Sequence, residues 1–223
     1  MNAIGESASA KASQELKYWS MVKEKEPVLH NAWYEYFFTI HFGLDRAYYA
    51  GKKVLDIGCG PRGSLEWADM TALRVGLDPL ADSYHALGAD RQKMTYVAAP
   101  AEEIPYVDDC FDVVCSFNSL DHVDDVDAVL REIGRIVCPG GLFLLLTDVN
   151  HPPTICEPRS FSWDLVDRIA STFSLVEEQH FEKASTGMYQ SITAGVRYNH
   201  ADSADRYGIL SAKFCKPTPG PSS

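Results

Sequence analysis

The sequence has no hydrophobic run long enough to cross a membrane. Its longest strongly apolar run covers only residues 142–146, whereas a membrane-spanning helix needs about 20 apolar residues. The amino terminus also lacks a basic start followed by an apolar block, and it has no Arg-rich amphipathic stretch. Those are the features of secretory and transit peptides. We therefore expect a cytoplasmic protein that does not insert into a membrane.

Basic residues are too few for a surface that binds nucleic acid. The chain has 20 Lys and Arg residues against 31 Asp and Glu residues, which gives a formal net charge of −11 and a pI near 5.0. Such a charge repels a phosphate backbone at long range. We therefore expect no nucleic-acid partner.

The cysteines form no C-x-x-C pair and show no regular spacing, which disfavours a zinc ribbon or a disulfide framework. We expect them to be reduced and to act mostly as packing residues. The six are Cys59, Cys110, Cys115, Cys138, Cys156 and Cys215.

The composition is that of a globular protein with a real core. Of 223 residues, 46% are hydrophobic and 23% are charged, which fits one compact domain with terminal extensions. Residues 1–50 are predicted to form a helical extension or cap, because aromatic residues are dense between Glu15 and Tyr49 and need a surface to cover. We predict helices over 14–25 and 28–42, separated at Pro27, and an irregular segment over 1–14.

From Lys52 onward, short β-rich runs alternate with segments of helical character, which indicates a parallel sheet with crossover helices. The main domain is predicted over 51–216, with a functional loop or hairpin insertion over 183–207 and a flexible tail over 217–223. Strands are predicted at 53–57, 74–78, 95–99, 111–117, 142–149, 175–182 and 208–215, and helices at 64–70, 81–87, 124–137 and 162–173.

A glycine motif directly follows the first predicted strand. Gly58, Gly60 and Gly63 form G-x-G-x-x-G, and glycine permits a tight turn and a close approach of the backbone to a ligand. Asp78 ends the next predicted strand, 20 residues after Gly58, where a carboxylate can accept hydrogen bonds from a ribose diol. The two features together predict a nucleoside site.

This pattern suits an NAD(P)-dependent oxidoreductase as well as an enzyme that uses S-adenosylmethionine. Asp56 lies two residues before Gly58, where its carboxylate is unfavourable beside a pyrophosphate but favourable beside a cationic methionyl amine. The residues therefore favour S-adenosylmethionine.

Later motifs strengthen this interpretation. The series VLDIGCG, GLDP, AEEIPY, FDVVCSFNSLDHV and REIGRIVCPGGLFLLL resembles the class I S-adenosylmethionine-dependent methyltransferases, particularly the small-molecule branch that includes quinone-biosynthesis enzymes. The resemblance extends over about 53–149. It implies an α/β, Rossmann-like sheet of seven mostly parallel strands with helices on both faces, whose last strand, at 208–215, is antiparallel.

The resemblance also implies the roles of individual residues at the cofactor. Asp56, Gly58 and Gly60 would shape the methionyl side, Asp78 would hold the ribose, and Asn118 would lie beside the methionine moiety. The reaction implied is in-line transfer of a methyl group, with S-adenosylhomocysteine as product. No metal is required.

At the adenine, the resemblance implies a backbone contact from Ala101. Where the family often has Asp before the Ala-Glu pair, this chain has Pro100, which offers no side-chain acceptor. Glu102 is the candidate that compensates.

The acceptor is predicted to be a small molecule, because the segment that begins at Asn118 lacks the two prolines typical of amino-directed DNA methyltransferases. Asp148 with Asn150 could imitate part of a metal-assisted catechol site, although both types are common at turns. Candidate bases are His122 and His151, and each has the alternative of a packed structural histidine.

Two other functions stay open at this point. A catalytically silent S-adenosylmethionine-binding partner subunit would show the same cofactor motif, and the oxidoreductase is the less favoured enzyme. The sequence determines neither the acceptor atom nor the oligomeric state.

Overall fold

The computed structural model describes residues 3–220, with side chains from Ala10 onward. A sheet of seven strands has the order β3-β2-β1-β4-β5-β7-β6. Strands β1 to β5 pair in parallel, and β7 runs antiparallel to both β5 and β6. The predicted Rossmann-like sheet with an antiparallel last strand is therefore confirmed. The strands are β1 Lys53–Ile57, β2 Leu73–Leu77, β3 Thr95–Val97, β4 Phe111–Phe117, β5 Val137–Val149, β6 Ser174–Glu182 and β7 Gly208–Cys215.

The helices lie on both faces of this sheet. None in the described part of the chain is both long and apolar enough to cross a membrane. The α-helices are α1 Ala3–Lys25, α2 Tyr34–Phe38, α3 Arg46–Tyr49, α4 Ala81–Tyr84, α5 Val126–Ile136, α6 Leu165–Ala170 and α7 Met188–Ala194, with single 3-10 turns at Ile40–Phe42, His85–Leu87, Ala89–Arg91 and Leu120–His122.

The residues of β5 show why the core has two layers. Phe143 and Leu145 pack with α5 and α6, whereas Leu144 and Leu146 pack with α2, α7 and the 3-10 turn at Ile40–Phe42. Because successive side chains of a strand point to opposite faces, a strand covered on both sides must be apolar throughout. The run 142–146 is therefore a central strand.

Polar contacts hold the N-terminal cap against strand β7. His41 Nε2 lies 2.8 Å from Ser211 Oγ, and Lys213 Nζ donates to the Phe42 carbonyl at 2.7 Å. These contacts hold the aromatic residues of α2 against β7 and β5.

Three predicted segments need correction. Helix α1 begins at Ala3 rather than near residue 14, because its Ala, Glu and Lys residues are good helix formers. The helix predicted over 28–42 is reduced to α2 and the following 3-10 turn. Residues 64–70 form successive turns instead of a helix, because Arg74 of β2 donates to the carbonyls of Leu65 and Glu66.

The connection between β6 and β7 contains α7 and an isolated bridge between Phe181 and Arg197. Met188 and Ile192 of α7 are buried against the same layer as α2. The insertion predicted over 183–207 is thus partly helical. The predicted domain limits stay predictions, and residues 1–2 and 221–223 lie outside the described residues.

Candidate cofactor and active site

The glycine loop begins where β1 ends, at the carboxyl edge of the sheet. Gly58 and Gly60 have φ angles of 69° and 58°, a left-handed conformation that favours glycine. A Cβ atom on Gly58 would collide with the side chain of Ser119. Glycine is required at this position because the loop after β4 packs directly against the loop after β1.

Asp78 follows β2 and faces the glycine loop. Its Oδ2 accepts from the Gly60 N–H at 3.2 Å, and its Oδ1 accepts from the Leu80 N–H at 2.9 Å. Burial raises the pKa of this carboxyl, and the nearby backbone N–H groups oppose the increase. Asp78 is therefore a fixed acceptor beside the loop, as a ribose contact requires.

Asp56 lies one strand away and is almost completely buried. Its carboxylate accepts a hydrogen bond from Ser64. Burial raises the pKa of Asp56 to about 7, the hydrogen bond from Ser64 opposes this, and the charge of Asp78 adds to it. A cationic group placed between the two carboxylates would relieve this cost.

The loop after β4 completes this edge. Asn118 has a φ of 56°, and its N–H donates to the Leu146 carbonyl at 2.8 Å. Ser119 Oγ donates to the Ile57 carbonyl at 2.7 Å and lies 2.8 Å from Ser116 Oγ. The structure thus brings the ends of β1, β4 and β5 together, and Ser119 is a residue that sequence reasoning missed.

The two residues predicted at the adenine have different surroundings. Ala101 is buried and packs in the core on the α5 side of the sheet. Glu102 Oε1 accepts from the N–H groups of Asp124 and Asp125 at 2.8 and 3.1 Å. Its carboxylate is therefore bound to the loop before α5.

Helix α1 crosses the same edge. A Cβ atom on Gly60 would lie 3.1 Å from the Trp19 ring, and Trp19 Nε1 donates to Glu15 at 2.8 Å. Just after α1, Glu26 accepts hydrogen bonds from Arg62 through both carboxylate oxygens, at 3.0 and 2.8 Å. This bidentate pair lowers the pKa of Glu26 to about 2.

Both candidate bases lie at a second polar cluster, around Asp121. His151 Nε2 is 3.4 Å from Asp121 Oδ2, and His122 Nε2 is 3.9 Å from Asp121 Oδ1. Asp121 is fully buried and His151 is 5% exposed. Within the described residues, the buried polar atoms without an aligned hydrogen bond include both Asp121 oxygens, His122 Nε2, His151 Nε2 and Asp148 Oδ1.

Asp148 lies near this cluster and forms an ion pair with Lys183. Burial raises the pKa of Asp148, although the charge and hydrogen bond of Lys183 lower it. Lys183 follows β6, and the sequence carried no signal that this lysine would reach β5. Five polar atoms without aligned partners near one place indicate a site for a polar ligand.

An aromatic wall stands beside both clusters, formed by Trp33, Tyr34, Phe37 and Tyr189. Tyr189 lies 4.8 Å from both Trp33 and Phe37, measured between ring centroids. Burial raises the pKa of Tyr189, and the charges of Asp56 and Asp148 both contribute. The charges of both carboxylates therefore reach this one ring.

A cation is compatible with part of the cluster. Asp121, His122 and Glu157 each bring one potential ligand atom within 4.8 Å of the others. The same atoms can equally bind the hydroxyl of an acceptor, so we place no metal there.

Comparison with known proteins agrees with this geometry. Residues 55–145 match a family model described as a methyltransferase domain. The ubiquinone biosynthesis O-methyltransferase of Pseudomonas putida (strain GB-1) is 38% identical over 118 residues, which is 49% of this chain and 49% of that protein. The chain spans about half the length of the curated relatives it matches.

Two solved structures share the fold. The 1,6-didemethyltoxoflavin-N1-methyltransferase of Burkholderia thailandensis, with bound 1,6-didemethyltoxoflavin and S-adenosylhomocysteine, has a TM-score of 0.65, covers 97% of this chain and 92% of its own, and is 17% identical. The cyclase SpnF has a TM-score of 0.56 and 20% identity, with 78% of each chain covered. Residues 55–145 therefore match a methyltransferase domain, and this part of the chain is similar to the ubiquinone biosynthesis O-methyltransferases.

Proposed function

We propose that the protein transfers a methyl group from S-adenosylmethionine to a small-molecule acceptor. The observation that carries this proposal is the pair of buried carboxylates, Asp56 and Asp78, on either side of a glycine loop in left-handed conformation. A pyrophosphate would be repelled by the Asp56 carboxylate, whereas a cationic amine suits it, and a ribose diol suits Asp78.

The residues at this edge fit the cofactor. Asp78 would accept from the ribose hydroxyls, Asp56 would face the methionyl amine, and Gly58 and Gly60 would form the floor. Asn118 would lie beside the methionine moiety.

Ala101 and Glu102 complete the proposed site on the adenine side. The Glu102 carboxylate already binds backbone N–H groups of the loop before α5, so its proposed role is to shape that loop around the ring. When bound, S-adenosylmethionine supplies an electrophilic methyl group on a sulfonium.

The chain's own contribution to the reaction is orientation and proton transfer. The aromatic wall excludes water, and the atoms around Asp121 bind the polar end of the acceptor. If the methylated atom is a hydroxyl oxygen, its proton passes to His122 Nε2, which is buried without an aligned partner. The resulting imidazolium lies 3.9 Å from Asp121 and 4.0 Å from Glu157, two carboxylates that stabilise it. His151 is the second candidate for this role.

The other two functions are less favoured. An oxidoreductase would place a pyrophosphate against Asp56. A silent binding subunit would not need a polar cluster of two histidines and two aspartates beside the cofactor edge. The resemblance of the fold to a cyclase shows that the fold alone does not determine the reaction.

Ligand-dependent thermal stability tests the cofactor. A ligand at about 100 times its dissociation constant adds about 2.7 kcal/mol, which raises the melting temperature of a chain of this size by roughly 5–10 °C. We expect S-adenosylmethionine and S-adenosylhomocysteine to give this increase and NAD(P) to give none. Asp78→Asn should reduce the increase, whereas Asp82→Asn, at an exposed position on α4, should not. Stabilisation by NAD(P) alone would overturn the proposal.

A further inference from the structure

Both ring nitrogens of His151 face oxygen atoms. Nδ1 lies 3.1 Å from the Pro152 carbonyl oxygen, and Nε2 lies 3.4 Å from Asp121 Oδ2. A neutral imidazole has one N–H and one lone pair. In the tautomer with its proton on Nε2, the Nδ1 lone pair would face the Pro152 carbonyl oxygen. In the other tautomer, an uncharged Nε2 would lie 3.4 Å from the Asp121 carboxylate, at ion-pair distance although not aligned for a hydrogen bond. The imidazolium avoids both unfavourable contacts.

Burial makes the protonation state of His151 energetically important. Asp121 is 0% exposed and His151 is 5% exposed. A buried carboxylate without a counter-charge is strongly unfavourable. Lys183, the nearby lysine, is already paired with Asp148. Of the two histidines at ion-pair distance from Asp121, His151 is the nearer, at 3.4 Å against 3.9 Å for His122.

The other groups around His151 favour the same charge. Asp148 of β5 and Glu157 of the following loop carry negative charge near the ring, and Tyr207, just before β7, lies 6.3 Å from it between ring centroids. The Asp121 carboxylate raises the pKa of His151 against burial, which lowers it, and the Pro152 carbonyl adds to the increase. Lys183 is paired with Asp148, so these two charges largely cancel each other.

His122 is more exposed than His151 and lies farther from the carboxylates beside it. Its side chain is 25% exposed, and its Nε2 lies 3.9 Å from Asp121 and 4.0 Å from Glu157. Both separations exceed hydrogen-bond distance, so His122 Nε2 has no aligned partner.

We infer that His151 is a fixed imidazolium that forms a buried ion pair with Asp121, and that it is a positioning residue rather than the proton acceptor. It holds Asp121 oriented, with Oδ1 3.9 Å from His122 Nε2. The assignment of His122 as the base rests on the proposed function, whereas the ion pair does not.

The protonation of His151 can be read directly from the ligand-free, full-length protein. Long-range 1H–15N correlation spectra distinguish an imidazolium from either neutral tautomer. At about pH 7.5, one unit above the ordinary histidine pKa of about 6.5, we expect the His151 ring to carry both protons. A neutral ring at this pH would overturn the inference.

Variants separate the ion pair from a general effect of burial. Asp121→Asn should make His151 neutral at the same pH, while Asp90→Asn, at an exposed position, should leave it doubly protonated. An unchanged His151 in Asp121→Asn would contradict the proposed pairing. Comparison with His151→Gln or His151→Lys assigns the signal.

Charge rescue covers the case in which Asp121→Asn does not fold. His151→Lys keeps a positive charge beside Asp121, whereas His151→Gln keeps only hydrogen-bonding capacity. We expect the Lys variant to retain a higher melting temperature than the Gln variant, and the reverse order would contradict a fixed charge. These measurements use no cofactor, so a failure to bind S-adenosylhomocysteine would refute the proposed function without affecting them.

Discussion

Replacing Asp56 by Asn should stabilise the ligand-free protein, and the gain should grow with pH. Burial raises the pKa of Asp56 from 3.8 to about 7 in the folded state. Between these values the folded protein keeps a proton that the unfolded chain has released, so wild-type stability falls as pH rises through this window. Above about pH 7 the penalty is complete, and a difference of about 3 pKa units corresponds to about 4 kcal/mol.

The Asn variant lacks this ionisation and keeps an oxygen that can accept from Ser64. Its amide also brings an N–H2 group that costs about 1–3 kcal/mol if buried without a partner, but that cost does not depend on pH. The stability difference between variant and wild type should therefore increase by about 2–3 kcal/mol from about pH 5 to about pH 8. This change is a sharper test than the absolute difference.

Urea unfolding of both proteins at several pH values in this range measures the effect. Asp82→Asn, at an exposed carboxyl, is the matched control and should follow the wild type. A stability difference for Asp56→Asn that does not vary with pH would refute the reasoning, because it would show that Asp56 is not desolvated in the folded state. The same variant should bind S-adenosylhomocysteine more weakly, since it has lost the charge that faces the methionyl amine.

The remaining predictions concern the ribose contact, the N-terminal cap and the base. Asp78→Ala should weaken S-adenosylhomocysteine binding by about 1.5–3 kcal/mol, measured calorimetrically, through loss of charge-assisted hydrogen bonds; unchanged affinity would remove Asp78 from the site. Burial lowers the pKa of His41 from 6.5 to about 4, so its contribution is complete above pH 6.5 and is lost as pH falls toward 4, up to about 3 kcal/mol. His41→Gln, which can still bond to Ser211, should flatten this part of the urea-unfolding profile, and an unchanged profile would exclude His41. His122→Ala should lower turnover by roughly 10²–10⁴-fold once an acceptor is known, with S-adenosylhomocysteine affinity within a few-fold; near-parental turnover would show that His122 is not the base.

The central part of the fold was readable from local sequence. Strands such as β1 and β4 have apolar runs bounded by turn residues, and the glycine loop follows β1 directly, so period and spacing were sufficient. The resemblance to methyltransferases rests on the same continuous segment. Asp56, Gly58 and Asp78 were therefore placed correctly along the edge before any contact between strands was known.

Where the prediction failed, a distant part of the chain had overridden the local preference. Residues 64–70 have a helical composition, but Arg74 of the next strand binds the carbonyls that a helix would need. The role of Glu102 at the adenine stays a prediction, and the sequence did not show that its carboxylate would bind the backbone before α5.

The polar cluster around Asp121 depends on tertiary structure still more strongly. Asp121, His151 and Lys183 come from the segments after β4, β5 and β6, and no spacing within one segment predicts which side chains will meet. The sequence by itself determined the positions of the central strands, the glycine loop and the carboxylates Asp56 and Asp78. Each of these depends on residues close together in the chain. Only the pairing of β4 with β5 decided that one buried carboxylate would lie between two histidines, because burial and charge pairing depend on groups far apart in sequence.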